Sequence, residues 1–129
     1  MNAPCVLLVD AEELVRTPLA QYLRECGYRV LEADSGVEAL SVAAAHNGPL
    51  DLLLTDVVMP GVNGCILAEQ VKARYPAMRV LYMSGYTDDI VDRHGAFEDS
   101  GAYLQKPFGA EALGQKVREV LGRGAQTAG

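Results

Sequence analysis

Short apolar segments alternate with segments of helical periodicity along most of the 129 residues, and this alternation constrains the fold more than any other feature. The segment Cys5–Val9 is apolar throughout, as a central parallel strand is when helices cover both of its faces. Further strands are predicted at 29–33, 50–55, 79–83 and 102–105. The order of elements predicts a single α/β domain with a parallel sheet and helices on both faces.

Five helices are predicted between and after these strands. Ser35 and Glu38 have the spacing of a capping box, which begins the second helix. Val37, Leu40 and Ala44 are expected to form its inner face. The first helix ends at Gly27 and carries an apolar stripe of Val15, Pro18, Leu19, Tyr22, Leu23 and Cys26. The other helices are predicted at 65–74, 87–94 and 110–121. The predicted domain covers residues 1–121, and a flexible Gly/Ala tail follows at 122–129.

Charge and composition argue against several classes of protein. The net charge of −6 and the pI near 4.8 argue against binding to nucleic acid or to an anionic membrane surface. No apolar run approaches the roughly 20 residues of a membrane span, and no secretory signal precedes Cys5. The three cysteines, Cys5, Cys26 and Cys65, fall on apolar positions, which predicts buried free thiols, a reducing cytoplasmic location and no metal cluster.

Polar side chains follow four of the predicted strands at the point where each strand ends. In a parallel sheet these carboxyl ends share one edge, where α/β proteins bind ligands. The side chains are Asp10, Glu12 and Glu13 after the first strand, Asp56 after the third, Ser84 after the fourth and Lys106 after the fifth.

These groups have the chemistry to handle a phosphoryl group. Asp56 could attack phosphorus and become an acyl phosphate. Lys106 would neutralise a phosphoryl oxygen, and Ser84 would donate a hydrogen bond to another. Carboxylates of the first loop would hold Mg²⁺, which bridges carboxylates to phosphate. The simpler alternatives are that Asp56 caps the third helix or forms a structural ion pair with Lys106.

Over residues 5–121 the chain resembles the receiver domain of bacterial two-component response regulators. Residues 81–89 and 104–108 are especially similar to receivers of hybrid sensor histidine kinases. The resemblance rests on Val9-Asp10, on residues 55–61 with Gly64, on Ser84-Gly85 and on Lys106-Pro107-Phe108.

The resemblance implies a flavodoxin-like sheet with strand order 2-1-3-4-5 and a role in phosphorelay signalling. Asp56 would accept phosphoryl from the phosphohistidine of a histidine kinase or a histidine phosphotransfer protein. Phosphorylation would change a surface that a downstream effector or a second copy of the chain binds. Such a domain is not an enzyme beyond its own phosphorylation and dephosphorylation, and it is either a stand-alone regulator or part of a hybrid kinase.

By the same resemblance, further residues take roles around Asp56. Ser84 would be the switch hydroxyl, Tyr103 the switch aromatic and Lys106 the lysine that contacts phosphate. The Mg²⁺ ligands would be Asp10, Asp56 and the Val58 backbone carbonyl, with Glu12 as a further candidate.

The sequence departs from the family pattern directly after Asp10. The family has an acidic pair, Asp-Asp or Glu-Asp, whereas this chain has Asp10-Ala11. Because alanine cannot coordinate a metal ion, we predict weak Mg²⁺ binding and slow or absent phosphorylation. The alternative function is a degenerate receiver that binds a partner independently of phosphorylation. Val58 and Tyr86 position water poorly, which predicts a long-lived phosphoryl group.

Two further alternatives, an enzyme and a nucleotide-binding domain, fit the sequence less well. An enzyme of haloacid-dehalogenase type would use Asp10 and Glu12 as nucleophile and acid, although the chain is short for that class. A Rossmann domain is disfavoured because no Gly-x-Gly-x-x-Gly follows the first strand.

Overall fold

The computed structural model describes residues 3–59, 63–84, 102–105 and 108–128. Five strands form one parallel sheet in the order β2-β1-β3-β4-β5. This order confirms the predicted flavodoxin-like class. The strands are β1 (Cys5–Val9), β2 (Arg29–Ala33), β3 (Leu52–Asp56), β4 (Arg79–Ser84) and β5 (Ala102–Gln105).

Four helices lie within the described residues: α1 (Glu13–Glu25), α2 (Gly36–Ala45), α3 (Gly64–Arg74) and α4 (Ala110–Ala128). The helix predicted at 87–94 lies outside the described residues, as do Tyr86, Lys106 and Pro107. None of the helices in the described ranges combines the length and apolar character that a membrane span requires.

The sheet separates two apolar cores, as the alternation of side chains along each strand requires. Cys5, Leu7 and Val9 of β1 face the core beneath α2 and α3, while Val6 and Leu8 face the core beneath α1 and α4. Both faces of the central strands are therefore covered, which explains their unbroken apolar sequence. Leu113, Val117 and Val120 form the buried inner face of α4.

The inner face of α2 differs from the prediction. Gly36, Ala39 and Ala43 are buried, whereas Val37 is 70% exposed and Ala44 is exposed. Leu40 packs partly buried against the core, as predicted, so the prediction is wrong for Val37 and Ala44 only. Small residues form the buried part of this face.

The cap of α2 is close to the prediction. The Glu38 backbone N–H donates to Ser35 Oγ at 3.1 Å. The Glu38 carboxylate accepts from the Asp34 N–H at 2.7 Å rather than from Ser35. The capping-box signal therefore located the start of the helix correctly, although the return hydrogen bond goes to the preceding residue.

Two predictions along α1 are wrong. Pro18 and Cys26 are exposed, although the sequence placed both on the inner stripe. Cys26 forms the C-terminal cap, where the helix leaves the core. The prediction of free thiols is confirmed for all three cysteines, with Cys5 buried and Cys65 half-buried.

The other differences concern where elements begin and end. β3 begins at Leu52 rather than at residue 50, and its last residue is Asp56. Asp51 precedes the strand, and its carboxylate accepts a hydrogen bond from the Cys5 N–H at 2.8 Å. α4 continues to Ala128, past the predicted end at Leu121.

Candidate functional site

The strand register brings three buried polar residues to the carboxyl edge of the sheet. Val9 pairs with Thr55, so Asp10 and Asp56 occupy adjacent strand ends. Asp56 pairs with Met83, so Ser84 stands one residue further along the next strand. The exposed fractions are 1% for Asp10, 9% for Asp56 and 3% for Ser84. Because burying polar and charged side chains is unfavourable unless they are used or compensated, this edge is the candidate site.

Asp10 is held by hydrogen bonds to its backbone and its side chain. Its N–H donates to the Ala33 carbonyl at 3.1 Å, which extends the β1–β2 pairing. Its carboxylate Oδ1 accepts from the Glu12 N–H at 2.9 Å. Arg16 Nη1 donates to the Asp10 carbonyl at 2.8 Å. Hydrogen bonds to the N–H, the carbonyl and the carboxylate of Asp10 therefore hold the turn that follows β1 in place.

Asp56 ends β3, and the loop after it is tied to neighbouring elements. The Val57 N–H donates to the Met83 carbonyl at 2.9 Å, and the Gly64 N–H donates to the Val57 carbonyl at 2.8 Å. The side chain of Asn63 caps α3 by accepting from the Ile66 N–H at 2.9 Å. The alternative in which Asp56 caps that helix is therefore wrong.

Ser84 carries a hydroxyl oxygen that is fully buried. In the part of the chain that the structure describes, no hydrogen-bond partner lies within reach of its Oγ. Buried polar atoms are nearly always paired in native proteins, so an exception needs an explanation. A ligand oxygen beside Asp56 would provide the missing acceptor.

The remaining predicted residues are spread around this edge. Tyr103 lies on β5 directly opposite Tyr82, and its side chain packs against the core beneath α2 and α3. Glu12 is exposed at the N-terminal cap of α1, and its side chain makes no capping hydrogen bond. Glu13 is an exposed acid of the first turn. Lys106 lies outside the described residues.

The donor atoms at this edge suit Mg²⁺. Asp10, Asp56 and the backbone carbonyl of the exposed Val58 supply oxygen, the ligand type that Mg²⁺ prefers while it keeps several waters. Ala11 adds no donor. Within the described ranges, no group of three or more His, Cys, Asp or Glu side chains could hold a metal ion.

Cys65 is the other nucleophilic side chain near the loop after Asp56. Burial raises the pKa of its thiol above the ordinary value. Because the thiolate is the reactive form of cysteine, this shift of the pKa disfavours Cys65 as a nucleophile. Asp56 therefore remains the candidate nucleophile.

Comparison with known proteins decides the family. The family model described as "Response regulator receiver domain" matches residues 6–118. The chain belongs to the response regulator receiver family. This receiver is 36% identical over 116 residues to the sensor kinase CckA of Brucella abortus, and 38% identical over 121 residues to the response regulator protein FleR of Pseudomonas aeruginosa.

Solved structures agree with this assignment. The receiver domain of the hybrid histidine kinase CckA matches with a TM-score of 0.76 and 33% identity, covering 91% of this chain and 98% of that one. Chemotaxis protein CheY4 of Vibrio cholerae matches with a TM-score of 0.81 and 28% identity, covering 92% and 98%. The resemblance to receivers of hybrid sensor kinases is thereby confirmed.

The curated relatives are longer proteins. The match covers 90% of this receiver but 12% of CckA, and 92% of this receiver but 25% of FleR. Receiver domains are signalling modules, and nothing in the family or fold favours the dehalogenase-type alternative with Asp10 and Glu12.

Sequence reasoning missed one residue at this edge, Arg16. Its side chain is 13% exposed, which is unusual for arginine. A signal was available, because Arg16 lies on the same helical stripe as the buried Ala20 and Leu23. A charged residue on an apolar stripe has a specific partner more often than not.

Proposed function

We propose that this receiver accepts a phosphoryl group on Asp56 from a phosphohistidine of a partner protein. A carboxylate oxygen of Asp56 forms the new bond to phosphorus while the bond between phosphorus and the imidazole nitrogen breaks. The imidazole leaves with the bonding electron pair and then takes a proton from water. The burial of Asp56 between Asp10 and Ser84, at the edge where β1, β3 and β4 end, carries this proposal.

Each neighbour of Asp56 has a part in this transfer. The Ser84 hydroxyl donates a hydrogen bond to a phosphoryl oxygen, which satisfies its buried Oγ. Lys106 neutralises a second phosphoryl oxygen. Asp10, Asp56 and the Val58 carbonyl would hold Mg²⁺, which offsets the negative charge of the transferring group when bound.

The output is a change of the surface near β5 and α4. When Ser84 turns toward the phosphoryl group, it changes the space on β4 beside Tyr103 of the neighbouring strand. Tyr103 then repacks, and the altered surface binds a downstream effector or a second copy of the receiver. The net charge of −6 favours protein partners over nucleic acid at this domain.

The decisive experiment is incubation with a small-molecule phosphodonor, with and without Mg²⁺, followed by intact-mass measurement. Wild type gains one base-labile phosphoryl group, and Asp56→Asn gains none. Asp34→Asn is the matched control, because Asp34 is an exposed carboxylate outside the buried site, and it should behave as wild type. Equal incorporation into Asp56→Asn and wild type would contradict the proposal.

A second candidate function is favoured by Ala11, which supplies no metal ligand beside Asp10. In that case the receiver binds its partner without phosphorylation. The same experiment separates the two, because a degenerate receiver stays unmodified as wild type and gains phosphoryl only as Ala11→Asp.

The larger setting of the domain also belongs to this proposal. The longer relatives include a sensor kinase and response regulators, one of them described as the DNA-binding transcriptional regulator NtrC of Azospirillum brasilense. We infer that this receiver acts either as a regulator or as the receiver part of a hybrid kinase.

A further inference from the structure

Arg16 joins the turn after β1 to strand β2. Its Nη1 donates to the Asp10 carbonyl at 2.8 Å, and its Nε donates to Glu32 Oε1 at 3.3 Å. The Arg16 side chain is 13% exposed and that of Glu32 is 28% exposed, so water screens this contact less than a surface ion pair. A planar guanidinium can hold two partners in fixed directions.

Arg24 provides a natural comparison on the same helix. It also binds Glu32, from Nη2 to Oε2 at 3.2 Å, but its other hydrogen bond goes to the Val30 carbonyl at 3.0 Å. Its side chain is 50% exposed. The two arginines therefore share Glu32, but Arg16 alone of the two reaches the Asp10 carbonyl, and its Nη2 also lies 3.9 Å from the exposed Glu13 carboxylate.

Residues at the start of α1 donate hydrogen bonds to Asp10. The carboxylate accepts from the Glu12 N–H, and the carbonyl accepts from Arg16. Without Arg16, the carbonyl of a nearly fully buried residue would lose a charged donor, and the turn could rotate. Because Ala11 offers no carboxylate, the direction of the Asp10 carboxylate matters more in this chain than it would beside a second acid.

We propose that Arg16 is a positioning residue that holds the Asp10 carboxylate in the site by bridging the Asp10 carbonyl to Glu32. Its link to phosphoryl transfer rests on the proposed function, whereas its effect on the turn does not. Glu32 anchors the guanidinium to β2, and the guanidinium fixes the backbone from which Asp10 projects.

The test compares Arg16→Gln with Arg24→Gln in the full chain, without any phosphodonor. Hydrogen exchange of the Glu12 amide, followed by NMR, reports the hydrogen bond to Asp10 Oδ1. We expect about tenfold faster exchange in Arg16→Gln, the ratio that loss of one hydrogen bond implies. Arg24→Gln should stay within about twofold of wild type, although both variants lose an ion pair with Glu32.

A Mg²⁺ titration of the same samples gives the second readout. We expect the dissociation constant to rise about tenfold in Arg16→Gln, as it does when a group that orients a metal ligand is removed, and to change little in Arg24→Gln. Equal effects of the two variants on the Glu12 amide would overturn the proposal. Neither measurement uses phosphorylation, so both still test the role of Arg16 if Asp56 does not accept a phosphoryl group.

Arg16→Lys keeps the charge beside Glu32 but lacks the two-direction geometry of guanidinium. It should show exchange of the Glu12 amide between wild type and Arg16→Gln. If Arg16→Gln does not fold, Arg16→Lys carries the test, and exchange at the wild-type rate would overturn the proposal.

Discussion

Ala11 is exposed, while Asp10 directly before it is buried. In the turn after β1, Asp10 therefore supplies a carboxylate at the candidate site, whereas Ala11 supplies no oxygen ligand. At the scale of single residues, the proposed Mg²⁺ site therefore has Asp10, Asp56 and the Val58 carbonyl as its candidate ligands.

Ala11→Asp is predicted to strengthen Mg²⁺ binding by about tenfold or more, equivalent to about 1.4 kcal/mol. The physical reason is the added carboxylate beside Asp10, which Mg²⁺ prefers as a ligand. Isothermal titration calorimetry measures the change directly. Ala44→Asp is the matched control, because it adds the same charge on an exposed alanine in the last turn of α2. If Mg²⁺ affinity increased equally in the two variants, the added net charge would explain the effect and Ala11→Asp would not act as a ligand.

The sequence predicted which single residues lie at the site better than it predicted how they are held. Asp10, Asp56 and Ser84 could be placed because strand ends are readable from apolar runs, and the register then brought them together. The helical stripe of Arg16 indicates that its side chain is buried, but its partner could not be predicted, because Glu32 is distant in sequence and adjacent only after β2 pairs with β1.

At the scale of elements, α3 begins unusually close to the end of β3. A Cβ on Gly64 would lie 3.1 Å from both the Asp56 carbonyl carbon and the Val57 Cα. The same Cβ would also overlap the Asp56 carbonyl oxygen, so glycine is required where the helix meets the strand. The position of α3 and that of the Asp56 loop are therefore set together.

Gly64→Ala is predicted to destabilise the fold by about 1–3 kcal/mol, the usual range for an overpacked site. Gly122→Ala is the control, since Gly122 lies in α4 with open space around it. That change should stabilise the fold by about 0.5–1 kcal/mol, because alanine favours helix over glycine. Urea denaturation measures both, and a neutral Gly64→Ala would contradict the close approach.

The sequence pattern predicted the ranges of strands better than it predicted which face of a helix is buried. β2 and β5 match their predicted ranges, whereas the prediction for the inner face of α2 is right for Leu40 and wrong for Val37 and Ala44. Gly36, Ala39 and Ala43 are the buried residues of that helix. Hydrophobicity ranks valine above alanine, but the space between a helix and a sheet can require the smaller residue. The distance between a helix and the sheet cannot be predicted from a local sequence pattern.

At the scale of the whole molecule, large apolar side chains of the described residues are exposed on the side of the sheet where the strands end. Each lies early in a helix or in the loop that follows a strand, on the same side as Asp56. Exposed apolar groups that cluster mark interaction sites more often than scattered ones do. Their exposed fractions are 90% for Leu14, 70% for Val37, 65% for Val58 and 44% for Ile66.

Leu14→Ser is predicted to slow phosphoryl transfer from a phosphorylated histidine phosphotransfer protein by about tenfold, the effect of losing a contact worth more than 1 kcal/mol. Transfer from a small-molecule phosphodonor should stay unchanged, because Leu14 is outside the buried site. Ala73→Ser, exposed on the second half of α3, is the control. If Leu14→Ser slowed transfer equally from the phosphotransfer protein and from the small molecule, Leu14 would affect the phosphoryl-transfer step and not the binding of the partner protein.

The pairing of β3 between β1 and β4 has a consequence for how the domain acquires activity during folding. Asp10, Asp56 and Ser84 are distant in the chain and meet only when these three strands are in register. Contacts of such long sequence separation form slowly relative to local helices. We therefore expect helices to form before the three residues of the candidate site come together, and the assembly of that site to mark the closing of the central sheet.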